Sequence, residues 1–118
     1  MITIDSLKAF GADTADGLQR CLNMESFYLD LVNSVKTDKG LDELKDFLNA
    51  GDLDNAFEKA HALKGMYGNL SLTPIYKPLS ELTDLLRNRG TGEKQSIIEK
   101  CAPLLTEVLN QKQKLDEM

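Results

Sequence analysis

Apolar residues recur along this chain at intervals of three and four and nowhere alternate over a useful length. The pattern predicts helices throughout and no strand. Thr3 to Phe10 forms a short helix with Ile4, Leu7 and Phe10 on one side, ended by Gly11. Asp13 or Thr14 caps a second, carrying Leu18, Cys21 and Leu22. Asn23-Met24-Glu25 marks a break or tight corner. Ser26 to Thr37 then places Phe27, Tyr28, Leu31, Val32 and Val35 at helical spacing. Gly40 separates this from Leu41 to Ala50, whose inner face is Leu41, Leu44, Phe47 and Leu48. Gly51-Asp52 reads as a C′-glycine turn followed by an N-cap, and a helix follows from about Leu53 to Leu70. Thr73 is expected to cap the next helix with Pro74 at its first position. Ile75, Leu79, Leu82, Leu85 and Leu86 form its apolar face as far as Arg89-Gly90, and Pro78 is expected to kink it or delay its start. Thr91-Gly92 is the last break. Glu93 to about Leu115 closes the chain with Ile97, Ile98, Cys101, Leu104, Leu105, Val108 and Leu109 inward, a bend at Pro103 and a fraying polar tail.

These elements add up to one all-α domain over residues 1–118. The expected architecture is an up-down four-helix bundle core, built by the later, longer helices, with short additional N-terminal helices.

Composition narrows the function. The chain has 118 residues, enough for a real core, and 28% of them are charged with the two signs mixed. The formal net charge of −5 argues against nucleic acid, which selects a basic stripe. No run approaches a membrane span, and Met1 to Asp5 lacks the basic and apolar regions of a secretion signal, so a cytoplasmic protein is expected, and a monomer because each helix has one apolar face and no spare stripe. Cys21 and Cys101 are far apart, and with a single histidine in the chain no metal site is expected.

The chemistry concentrates on the helix of residues 53–70. Ala56, Ala60, Leu63, Tyr67 and Leu70 make its core-facing stripe. His61, the only histidine, shares a second, outward stripe with Lys64, Gly65 and Gly68, at i, i+3, i+4 and i+7. Each interior glycine costs about 1 kcal/mol relative to alanine. Two on the histidine's own face imply that bulk is kept away from it, although close packing of a neighbouring helix is the competing reason. Phe57, one turn earlier, serves either as core-edge filler or as a docking residue.

An exposed imidazole is largely neutral and nucleophilic at cellular pH, and a ring nitrogen can take up a phosphoryl group as a phosphoramidate. Phosphoryl transfer asks mainly for positioning and charge stabilisation, which the Lys64 ammonium could supply. Glu58, at i−3, could approach the ring, but no hydroxyl or thiol joins the stripe, so nucleophilic triad catalysis lacks its parts. There is no glycine-rich nucleotide loop, neither GxxxxGK[ST] nor GxGxxG. The chain reads as able to carry a phosphoryl group but not to take one from ATP.

The run His61-Ala62-Leu63-Lys64-Gly65, preceded by Ala60 and followed by Gly68-Asn69-Leu70, resembles the HxLKG signature of histidine-containing phosphotransfer (HPt) domains. Gly17 to Leu22, Phe27 to Val32 and Ala50-Gly51-Asp52 are also similar to bacterial members. The resemblance implies that His61 is the phosphoacceptor, that Lys64 neutralises phosphoryl charge, and that Gly65 and Gly68 give a partner access. That partner would be the receiver domain of a response regulator or hybrid kinase, which brings the aspartate and the Mg²⁺. The HPt chain itself would need no cofactor and have no kinase activity. Ser71 departs from the pattern, standing where many members have glycine, as does Pro78. A helical interaction module binding through the Phe57/His61/Gly68 face without chemistry is the alternative from another class, and an enzyme using His61 as general base is a weaker one.

Overall fold

The structure, a computed structural model, describes residues 2–90 and 93–118; the break expected at Thr91-Gly92 lies outside the described residues. Among the described residues there are seven helices and no strand: α1 (Ile4–Phe10), α2 (Thr14–Arg20), α3 (Glu25–Lys36), α4 (Gly40–Asn49), α5 (Leu53–Asn69), α6 (Thr73–Arg87) and α7 (Lys94–Asp116). Helices α4 to α7 pack in chain order, and α7 returns against α4 to close a ring. Short connections between successive helices force the chain to double back, which makes the bundle up-down. Helix α4, at ten residues, is shorter than α3 with twelve, so length does not separate the bundle from the N-terminal helices.

Local chemistry explains most boundaries. Thr3 and Ser6 form a reciprocal capping box before α1, and Gly11 ends that helix at φ 108°, a conformation that suits glycine. The Asp13 carboxylate caps α2 by accepting from Asp16 N. Gly51 turns the chain at φ 71°, and Asp52 caps α5 by accepting from Asn55 N at 3.2 Å. The core is continuous and mainly aliphatic, with Leu44, Leu63, Leu72, Ile75, Leu79, Leu82, Leu86, Val108 and Leu115 buried beside Tyr28 and Tyr67.

Several expectations are corrected. The N-cap of α6 is Leu72, not Thr73, because Leu72 is buried and its carbonyl already accepts from Ile75 N and Tyr76 N. Pro74 therefore sits at the second helical position, still among the first turn's unpaired amides. Pro78 does not delay the helix, whose first turn is closed by those Leu72 bonds before the proline is reached. Gly40 starts α4 rather than preceding it, packed against Leu63. Leu22 and Phe27 face solvent along with Met24, because Leu22 and Asn23 turn left-handed (φ 57° and 58°) at the α2–α3 corner. The α7 helix continues to Asp116. There the buried Lys112 reaches Asp116 at 2.8 Å and the Lys36 carbonyl at 3.0 Å.

Candidate functional site

The buried stripe of α5 is the expected one: Ala56, Ala60, Leu63, Tyr67 and Leu70 all lie in the core. Fixing that stripe inward turns His61 outward, and the ring is solvent-exposed. Phe57, one turn before it and half-buried, stacks on the imidazole with centroids 5.8 Å apart and planes 21° from parallel. The Arg87 guanidinium of α6 lies 5.7 Å from the centre of the Phe57 ring. The histidine ring is thus seated on an aromatic platform that is itself braced by a neighbouring helix. Among the described residues no side chain hydrogen-bonds to His61, and Glu58 does not engage it.

The two glycines differ. A Cβ built at Gly65 meets nothing within 4 Å, so that position is open above the helix. A Cβ at Gly68 comes 3.0 Å from Cε2 of Tyr76 on α6. The expectation that both glycines point clear of neighbouring helices therefore fails for Gly68. The chain turns at Leu70 to Leu72, so α5 and α6 converge there, and Gly68 makes room for the Tyr76 ring. Lys64 is half-buried, with no carboxylate partner among the described residues.

These residues line one open groove of about 510 Å³. Its α5 wall is His61, Lys64, Gly65, Gly68 and Asn69, and its α6 wall includes Tyr76 and Lys77. A third wall comes from α2, with Asp13, Asp16 and Arg20, and Ser71 closes the corner. Sequence reasoning did not single out Arg20, Lys77, Asp16, Ser71 or Tyr76 as site residues. They reach the groove by tertiary packing, for which a single sequence carries no periodic signal.

The third wall is fastened at the corner. Ser71 adopts φ 54°, the left-handed region that favours glycine, which accounts for glycine being usual there. Its hydroxyl donates to Asp16 Oδ2 at 2.5 Å, and its carbonyl accepts from Asp13 N at 3.0 Å. Arg20 Nε donates to the same Asp16 oxygen at 2.9 Å. The Ser71 hydroxyl, then the Arg20 guanidinium, hold the Asp16 carboxyl below the usual carboxylate range. Beneath, Tyr28 fills the space left by Gly17, and its hydroxyl donates to the Leu70 carbonyl at 2.8 Å. Burial pushes the Tyr28 phenol up to about 12.

Phe57 packs at the edge of the core and stacks on His61. Among the described residues no group of three or more histidine, cysteine or acidic side chains could hold a metal ion, and no helix is long and apolar enough to cross a membrane. A nucleophile on an exposed helix face, an open groove, and Lys64 and Lys77 without an ion-pair partner among the described residues suit binding and transfer of an anionic group from another macromolecule. Compared with known proteins, residues 31–116 match the family described as Hpt domain. That span begins inside α3, so α1 and α2 lie outside it. No curated protein and no solved structure matches the chain.

Proposed function

Because this chain belongs to the Hpt domain family, whose members are phosphocarriers in two-component systems, we propose that His61 carries the phosphoryl group between receiver-domain aspartates. The observation that carries this reading is the exposed His61 ring, stacked on Phe57 and flanked by the open Gly65 position and by Lys64. A neutral ring nitrogen attacks the phosphorus of the partner's acyl phosphate. The P–N bond forms as the P–O bond breaks, its electron pair leaves on the aspartate carboxylate, and the ring sheds its remaining N–H proton to solvent. The reverse step passes the group on.

The chain's own part is positional and electrostatic. Phe57 limits rotation of the imidazole. Lys64 meets the phosphoryl oxygens, and Gly65 leaves room for the partner's loops. Mg²⁺ belongs to the receiver, and no step draws on ATP. A cytoplasmic setting follows from these partners.

The test is to incubate the protein with a phosphorylated receiver domain and Mg²⁺ and to look for acid-labile, alkali-stable label. Label on His61 that is lost in His61→Gln is the expected result. Label persisting in His61→Gln would remove the assignment. A protein that binds the receiver and is never labelled would be an interaction module instead.

A further inference from the structure

The groove beside His61 has a cation that the phosphotransfer reading does not use. Arg20 ends α2, outside the span matched to the family, yet it lines the same groove as His61, Lys64 and Lys77. An i,i+4 pair such as Arg20–Asp16 is ordinarily a solvated surface contact worth little. Here Asp16 is also bound by the Ser71 hydroxyl, at the turn that ends the histidine helix. The carboxylate is therefore fixed relative to α5, and it fixes Arg20 in turn. Only Nε is engaged: among the described residues, the two terminal amino groups of Arg20 donate to no protein acceptor. A guanidinium held by one nitrogen presents its remaining fork, the geometry that suits two oxygens of one phosphoryl group.

We infer that Arg20 binds the phosphoryl group once it is on His61, reaching it from α2 while Asp16, itself bound by Ser71, holds its Nε. This rests on His61 being the phosphoacceptor. The phosphoryl group brings about two negative charges at neutral pH. Lys64 and Lys77 supply point charges from α5 and α6, and Arg20 adds a directional contact from a third helix. The negative charge of Asp13 is turned toward the amides of α2, which it caps, and that of Asp16 is shared between Ser71 and Arg20. Three cations, Arg20, Lys64 and Lys77, line the groove against these two carboxylates.

The experiment separates the phosphoryl group from any partner. The protein is phosphorylated with phosphoramidate, without a receiver, and decay of phosphohistidine is followed in the parent and in Arg20→Met, which keeps most of the apolar stem. The expected result is a lifetime shortened about 5-fold at low salt, the scale of one charge-assisted contact near a surface. Added salt should shorten the parent's lifetime toward that of the variant, while the variant responds less. The thermal midpoint should move little, since the pair is exposed and the Ser71 hydroxyl still binds Asp16. Equal lifetimes in parent and variant would overturn the role of Arg20 and leave His61 as phosphoacceptor. A variant slowed only in transfer from a receiver, with its lifetime unchanged, would also overturn it, because Arg20 would then touch the partner. A parent that takes no label on His61 would remove both readings at once.

Discussion

At the scale of single residues, the two glycines of the histidine stripe make opposite predictions. Gly65 has open space where a side chain would go, so alanine there meets no clash and gains helix propensity. Gly65→Ala should raise stability by about 0.5–1 kcal/mol in denaturant unfolding. Gly65→Gln should slow transfer from a receiver while the fold remains intact, and a bulky variant that transfers at the parent's rate would show that the space is not used. Gly68 differs because Tyr76 must yield before any Cβ fits. Its substitutions should lower the thermal midpoint as well as the transfer rate. Tyr67 supplies a third case. Its hydroxyl is buried with no partner among the described residues, and burial raises its phenol above the usual range. An unpaired buried hydroxyl forfeits its desolvation energy, so Tyr67→Phe should leave stability unchanged or raise it by on the order of 1 kcal/mol. A loss of more than that would mean that the hydroxyl has a partner in solution.

At the scale of elements, the α5–α6 corner joins the histidine helix to α2. The Asp16 carboxyl is lowered in the folded protein, first by the Ser71 hydroxyl and then by Arg20. A depressed carboxyl stabilises the fold above its unfolded pKa, and that contribution is lost as pH falls through the folded value. Removing the hydroxyl in Ser71→Ala should move the Asp16 titration up toward the ordinary carboxylate range, followed by NMR of its side chain. Amides of α2 should exchange faster in the same variant. An unmoved Asp16 curve would mean that the Ser71 contact is not made in solution. This is also where legibility in the sequence stops. The stripe carrying His61, Lys64 and Gly65 follows from one helical period, because all three share one helix. Caps at Asp13 and Asp52 were readable for the same local reason. Arg20 and Lys77 are invisible to periodicity, because what makes them part of the site is the packing of α2 and α6 against α5. Ser71 was noticeable as a departure from the usual glycine. That its hydroxyl reaches Asp16, 55 residues away in sequence, was not.

At the scale of the whole molecule, the two cysteines sit in the two parts of the architecture and can report on each. Cys101 lies in the ring of α4 to α7, fully covered, and burial pushes its thiol up to about 11. At pH 8 such a buried thiol stays protonated and out of reach, so reaction requires the bundle to open. Cys21 is the C-cap of α2 and is also buried. The contacts of α1 and α2 with the rest of the chain include Pro74 against Gly11, the Ser71 links to Asp13 and Asp16, Tyr28 of α3 against Gly17, and the buried Leu7 and Ala12 in the common core. Short helices of seven residues at the edge of a bundle open with less free energy than the core they cover. Alkylation of the native protein should therefore modify Cys21 faster than Cys101, measured in Cys101→Ala and Cys21→Ser variants respectively. The Cys101 rate should track global unfolding as denaturant is added, whereas the Cys21 rate should stay above it at low denaturant. Equal rates would mean that α1 and α2 open only with the whole bundle. In that case Arg20 would be held over the groove as firmly as Lys64, and the third wall would be a fixed part of the site.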